Sequence, residues 1–202
     1  MIRCMLESSD GSIRTGGSEL LIEWQRNREG KFWLDIQEED TSGERKLLEN
    51  LGLHTLAVQD AQRDRHPPKL EEFDDFTFVL YRGIASFNSE LVHDSQNIAF
   101  FVGENFLVTR HPKPAVSIEK LFSEQGSKLL KQGPGFLALR IMHTSAGLYL
   151  DALLEFEERL SDIEDALLDD GNDDLMRELV TYRTRLVKLR RLFNYHRNIT
   201  DE

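Results

Sequence analysis

The chain has 202 residues, 36 acidic against 25 basic side chains, a formal net charge of -11 and an apolar fraction of 40%. That supplies one hydrophobic core, or a core with a helical appendage, and argues against a disordered protein. The negative field disfavours nucleic acid and an anionic membrane surface as direct partners, because both need cationic patches that displace counterions. A single thiol, Cys4, closes no intrachain disulfide and builds no cysteine-based zinc site, which suits a reducing compartment. Residues 1–12 lack the cationic start and apolar stretch of a secretory signal. The longest uncharged runs, such as Ile141 to Leu150, fall short of the roughly 18–20 apolar residues of a spanning helix, so the sequence reads as a soluble chain.

Taken in order, Ser18 to Trp24 and Lys31 to Gln37 read as two strands of a hairpin joined by Gln25 to Gly30. Thr41-Ser42 is placed to cap a helix through Leu51 that Gly52 ends, and His54 to Gln62 is a short helix stopped by Pro67-Pro68. Strands follow at Lys69 to Phe73, Phe76 to Phe87 and Asn97 to Val102, and a tight turn at Gly103-Glu104-Asn105 leads into Phe106 to Arg110. The run Ile98 to Val102 does not alternate, which predicts a strand covered on both faces. Val116 to Phe122 reads as a covering helix.

From Gly135 the period becomes helical. Tyr149, Leu153, Phe156, Leu160, Ile163 and Leu167 form one stripe, and Leu175, Leu179, Tyr182, Leu186, Leu189 and Phe193 form a second after the polar break at Asp169 to Asp173. Both have coiled-coil spacing, and a short turn between them predicts an antiparallel hairpin. Residues 1–134 are therefore read as an α/β unit and 135–202 as the hairpin. Eleven acids and one base between Asp151 and Asp174 face seven bases and one acid between Arg177 and Arg197, so the two helices can pair charges that set register or present two solvated faces, and the pattern leaves both readings open.

The break at Asp169 to Asp174 does not have the alternating acids of a calcium loop, and Gly171 as C-cap with Asp173 as N-cap accounts for it. The six histidines show no zinc-hydrolase spacing, and no nucleophile elbow or phosphate-cradling glycine loop is present, so no catalytic residues are assigned and no enzyme is expected. Glu71-Glu72 and Asp74-Asp75 flank Phe73 before an apolar strand. Spacing alone leaves them open between metal ligands and solubilising residues.

Leu53-His54-Thr55-Leu56-Ala57-Val58-Gln59-Asp60, with Pro68-Lys69-Leu70-Glu71-Glu72-Phe73-Asp74-Asp75 and Phe78-Val79-Leu80, resembles the cytoplasmic domain of CorA-type divalent-metal channels. Trp33 to Ile36, Phe106 to Arg110 and the acidic and basic helices fall where that family has similar elements, so the resemblance covers nearly the whole chain. It implies a three-layer α/β/α domain with a mixed sheet, carrying a long antiparallel helical hairpin. It also implies a place on the cytoplasmic side of the cell membrane, in a homopentameric channel for magnesium, or for cobalt or zinc in some branches, held shut by intracellular metal.

Within that resemblance His54, Leu56, Asp60, Pro68, Lys69, Glu71, Glu72, Asp74 and Asp75 match the family's structural motif, and Glu157 and Glu158 match accessory metal-binding acids. Thr55 and Gln59 depart from the family's usual proline and glutamate. Ser86-Phe87-Asn88 stands where a regulatory acid is expected, and the stalk, membrane helices and Gly-Met-Asn pore motif do not occur within the 202 residues. The expectation is a regulatory domain cut before its stalk, without a resident cofactor, binding divalent cations weakly and by itself forming a monomer or small oligomer. The alternative is a free-standing interaction module of the same fold.

Overall fold

The computed structural model describes residues 1–200 except 39, 65, 89, 171 and 172, and for residues 85–87, 93, 170, 198 and 200 it describes the backbone alone. Seven strands form one sheet in the order β2-β1-β3-β7-β6-β5-β4: β1 (Ile2–Glu7), β2 (Ile13–Gly16), β3 (Lys31–Gln37), β4 (Lys69–Glu72), β5 (Phe76–Phe87), β6 (His93–Gly103) and β7 (Phe106–His111). β3 and β7 run parallel and every other pairing is antiparallel, so the sheet is mixed.

Both faces are covered, which makes the three-layer α/β/α arrangement. Successive side chains of a strand point to opposite faces. Phe32, Leu34 and Ile36 of β3 join the core beneath α1 (Ser18–Asn27), α2 (Thr41–Asn50) and α3 (Thr55–Ala61). Trp33 points the other way, toward α4 (Val116–Glu124), α5 (Gly126–Gln132) and the start of α6 (Pro134–Asp170). In β6 the same division puts Ala99 and Phe101 on the first face and Ile98 and Phe100 on the second, as the unbroken apolar run predicts.

The predicted first hairpin is wrong. Ser18 to Trp24 is helical, and β1 and β2 precede it. Leu20, Leu21 and Trp24 are buried while Ile22 is 55% exposed, a pattern that fits a helical face and not a strand's alternation. β3 pairs instead with β1, buried through Cys4, Met5 and Leu6. Gly30 makes the return into β3 feasible. It has φ 76, and a Cβ there would lie 1.9 Å from the Glu7 carbonyl oxygen. The cap of α2 also differs from expectation: Asp40, not Thr41 or Ser42, is the N-cap, its carboxylate accepting from the Gly43 amide at 3.0 Å.

α6 has 37 residues, about 55 Å at 1.5 Å per residue. Its first turns lie on the sheet through Leu137, Ala138 and Ile141, and then it runs on to pair with α7 (Asp173–Thr200). Tyr149 meets Phe193 at 5.3 Å and Phe156 meets Tyr182 at 5.0 Å, so the two helices are antiparallel. The α6 stripe stands: Tyr149, Phe156 and Ile163 are buried, with Leu153, Leu160 and Leu167 packed beside them. On α7, Tyr182 and Leu189 are buried, but Leu186 and Phe193 are each 36% exposed and Leu192 is buried in their stead. A lone hairpin covers one side of each helix. α7 also turns its Leu192 side toward the sheet, and this rotates the seam. The cap read at Gly171 lies outside the described residues.

Of the two readings of the charges on these helices, solvated faces fit the structure better than pairing along the flanks. Among the described residues the ion pair joining them is Arg159 to Glu178 at 2.7 Å, made by the one base of the acidic segment and the one acid of the basic segment. The α6 acids from Asp151 to Asp169 are exposed to solvent, where an ion pair would add only about 0–1 kcal/mol.

Apolar packing therefore carries the hairpin. Ile163→Ala is expected to cost about 2–4 kcal/mol and Glu164→Ala less than about 0.5 kcal/mol, read as urea midpoints. Equal losses would show that the seam is misplaced.

Candidate functional site

The motif residues form a bracket between α3 and the β4–β5 hairpin. His54 is the N-cap of α3: its Nδ1 accepts from the Leu56 amide at 3.3 Å, and its ring lies 5.1 Å from Phe73. Leu56 itself is 60% exposed. Asp60, at the end of α3, accepts from Lys69 Nζ at 2.6 Å, and Lys69 donates equally to Glu71 at 2.7 Å. Pro68 delivers the chain into β4 half-buried. Asp74 and Asp75 occupy the two-residue turn closed by the Phe73 amide on the Phe76 carbonyl at 2.9 Å, and with Glu72 they are exposed. One lysine thus ties helix to strand, while the remaining acids cap an exposed turn.

Glu157 and Glu158 lie on the exposed surface of α6, some 100° apart around the helix. Glu158 belongs to a longer row that sequence reasoning counted but did not resolve: Asp151, Glu155, Glu158, Asp162, Asp165 and Asp169, spaced four, three, four, three and four. All six are exposed, and none is paired with a base among the described residues. Neighbours at this spacing are about 5–6 Å apart, so each adjacent pair repels by roughly 0.7 kcal/mol in water. Among the described residues no three His, Cys, Asp or Glu side chains converge as a ready metal cage. The row can attract hydrated cations along its length.

A second polar group lies inside the protein. Asp35 on β3 is fully buried and accepts from Arg3 Nε at 2.8 Å, from the Thr109 hydroxyl and from His111 Nε2 at 3.1 Å. Arg3 also donates twice to Glu119 on α4, and Trp33 Nε1 donates to the Thr109 hydroxyl at 3.0 Å. Burial alone would raise the Asp35 carboxyl. The His111 hydrogen bond and charge, the Arg3 charge and the Thr109 hydroxyl outweigh it and hold the group below the usual carboxylate range. An acid, a histidine and a hydroxyl side by side suggest hydrolytic chemistry, but all three are at 0% exposure and no substrate reaches them. The signal that could have found this group is Asp35 inside the apolar run Phe32 to Ile36, since a buried acid needs partners. Asp35→Ala would leave the buried His111 ring and Thr109 hydroxyl without their shared acceptor and take one of the two carboxylates from Arg3, and is expected to cost about 3–5 kcal/mol, measured by denaturant unfolding.

The end of α7 docks on the sheet through His196, whose ring stacks on Tyr81 at 4.3 Å and 8° between planes. Burial pushes the imidazole down to about 4, and its Nε2 finds no hydrogen-bond partner among the described residues.

The sequence matches the family described as CorA-like Mg2+ transporter protein over residues 29–202. This chain belongs to that family. Among curated proteins it is 29% identical to the putative metal ion transporter YfjQ of Bacillus subtilis over 164 residues, 79% of this chain and 50% of that protein. It is 25% identical to the cobalt/magnesium transport protein CorA of Methanocaldococcus jannaschii over 160 residues, 77% of this chain and 50% of that protein. The chain spans about half the length of the curated relatives it matches. The soluble domain of the Methanocaldococcus jannaschii CorA has the same fold, with a TM-score of 0.75 at 20% identity over 97% of this chain and 76% of that one. Among the described residues no helix is long and apolar enough to cross a membrane.

The CorA-like fold makes the seating of α7 testable by pH. His196 titrates near 6.5 when unfolded and near 4 when folded, so below pH 6.5 the unfolded chain binds the proton more readily. Stability is full above about pH 6.5 and is lost as pH falls toward 4. His196→Phe should flatten melting temperature against pH across that window, leaving the loss below it that protonation of Asp35 produces. An unchanged slope would exclude His196 as its source.

Proposed function

We propose that this chain is the cytoplasmic, cation-responsive domain of a CorA-like divalent-cation transporter, with Mg2+ as the principal ion and Co2+ or Zn2+ as alternatives. The observation that carries this reading is the match to the family over residues 29–202, and the fold likeness to a CorA soluble domain supports it. In this reading the chain performs no catalysis and has no resident cofactor. The 202 residues form one portion of a longer polypeptide whose remaining part crosses the membrane.

The acidic row on α6 supplies the physical logic of regulation. Six outward carboxylates repel one another and any acidic surface brought near them. A divalent cation relieves that repulsion and favours the arrangement in which acidic surfaces approach. Glu158 lies in this row, and Glu157 flanks it beside the seam. Association has an apolar surface available as well. A groove of about 510 Å3 along the hairpin is lined by Leu160, Leu179, Leu186 and Val187, a shape suited to a further helix in a homo-oligomer, which by family resemblance is a pentamer.

Magnesium gives up its waters reluctantly and needs several fixed carboxylates. A row of solvated acids does not provide them, so the isolated chain is expected to bind Mg2+ with a dissociation constant of about a millimolar or weaker, some 4 kcal/mol. Calorimetric titration with Mg2+, Co2+ and Zn2+ reads this, and Glu158→Gln with Asp162→Asn should weaken it further. Micromolar Mg2+ binding by a monomer would defeat the proposal of an incomplete site. The transport reading is tested separately: the complete reading frame that contains this chain, reconstituted in vesicles, should pass Mg2+ down its gradient, with high Mg2+ on the side of this domain slowing the flux. Absence of flux would favour a free-standing interaction module.

A further inference from the structure

A cleft of about 470 Å3 opens where α7 crosses the loop between α3 and β4. His66, Arg82 and Ser95 line it from the sheet side, and Lys188, Arg191 and Tyr195 line it from α7. In a chain of net charge -11, this concavity is walled by cations.

The cations are held without matching carboxylates. Arg82 donates through Nε to the Ser95 hydroxyl at 3.0 Å, and through Nη1 to Asn97 Oδ1 at 2.9 Å and to the Asp64 carbonyl at 3.2 Å. All three acceptors are neutral. They orient the guanidinium and leave its charge uncompensated, and Nη2 donates to nothing among the described residues. Lys188 and Arg191 enter no ion pair among the described residues. Asp60, 3.6 Å from His66 Nε2, is already shared by Lys69 at 2.6 Å and Arg63 at 3.1 Å. A planar, pre-oriented guanidinium with a spare donor beside two exposed cations is matched to phosphate oxygens. Tyr195 and the Pro67-Pro68 edge add flat apolar walls to the same cleft. Its volume is within the range of small-molecule sites, about 300–1,000 Å3.

We propose that this cleft binds a phosphorylated small molecule bearing a flat ring, the chemistry a nucleoside diphosphate presents. The phosphates lie on Arg82, Lys188 and Arg191, and the ring lies against Tyr195 and the proline edge. Such a ligand bridges α7 to the α3–β4 loop, and so fixes the basic helix of the hairpin to the sheet. The proposal does not rest on the transport reading, since its elements all lie within the described fold.

The test is calorimetric titration of the chain with ADP, inorganic pyrophosphate and adenosine in metal-free buffer, with melting temperature as a second readout. ADP should bind at least fivefold tighter than pyrophosphate and raise the melting temperature, while adenosine should show no binding at millimolar concentration. Lys188→Glu and Arg191→Glu, both exposed positions that leave the fold intact, should each weaken ADP at least tenfold. Arg183→Glu, the same charge change on the same helix outside the cleft, should weaken it less than twofold. Tyr195→Ala should bring ADP to the level of pyrophosphate and leave pyrophosphate unchanged. Absence of ADP binding at millimolar concentration would overturn the proposal, as would an Arg183→Glu loss equal to that of Arg191→Glu. Pyrophosphate binding as tightly as ADP would overturn the assignment of the ring.

Discussion

Asp35 places a carboxylate where the structure admits no water, on β3 beside the parallel junction with β7. An isolated ion there would cost far more than the folded state can bear, so the neighbours must supply its charge balance. Arg3 reaches it from β1, Thr109 and His111 from β7, and Arg3 extends the chain of contacts to Glu119 on α4. These contacts register three adjacent strands and one covering helix at once. A slip of one residue in any strand would turn its partner to the opposite face and leave the carboxylate bare. On the other face, Arg110 donates to the buried Glu44 at 3.0 Å and to the Ala61 carbonyl at 2.9 Å, fastening α2 and α3 to the same strand.

The hairpin follows different physics. Its interior is aromatic and aliphatic, and its charge is displaced outward with opposite sign on the two helices. Exposed ion pairs are weak, so nothing obliges the acids of α6 to meet the bases of α7, and among the described residues the contact between charges that joins the helices is Arg159 to Glu178, each the exception on its own helix. The consequence is two charged surfaces available to outside partners. The acidic row suits hydrated cations, while Arg183 and Arg190 of α7 line the groove along the hairpin and Lys188 and Arg191 line the cleft beside β5.

Where α7 reaches the sheet, polar groups and aromatic rings are packed with few hydrogen bonds. Among the described residues His196 Nε2 is buried without a hydrogen-bond partner, the Tyr81 and Ser145 hydroxyls have at best each other, and Tyr149 Oη donates to the Arg82 carbonyl at 3.1 Å. A junction with unmatched polar atoms is held less firmly than the apolar layers on either side of it. Proton uptake by His196 and occupation of the adjoining cleft would therefore act on the same contact in opposite directions, the first loosening α7 and the second fastening it.

Local pattern in the sequence determined much of this. The long strands Phe76 to Phe87 and Phe106 to Arg110, the doubly buried run Ile98 to Val102 and the two stripes after Gly135 each carry their period within a short window, and period reports which faces are covered. The motif around His54, Asp60 and Lys69 was legible only through its resemblance to CorA-type channels, since spacing alone left its acids open. Ser18 to Trp24 was misread because seven residues with four apolar members satisfy either period until their partners are known. The rest depended on distance in space. Arg3, Asp35 and His111 are separated by 32 and 76 residues, and Arg82 and Arg191 belong to segments with no shared pattern. Only the crossing of β1, β3 and β7 buries the first group, and only the return of α7 across β5 makes a cleft of the second, because burial and convergent charge are properties of packed surfaces and not of any stretch of chain.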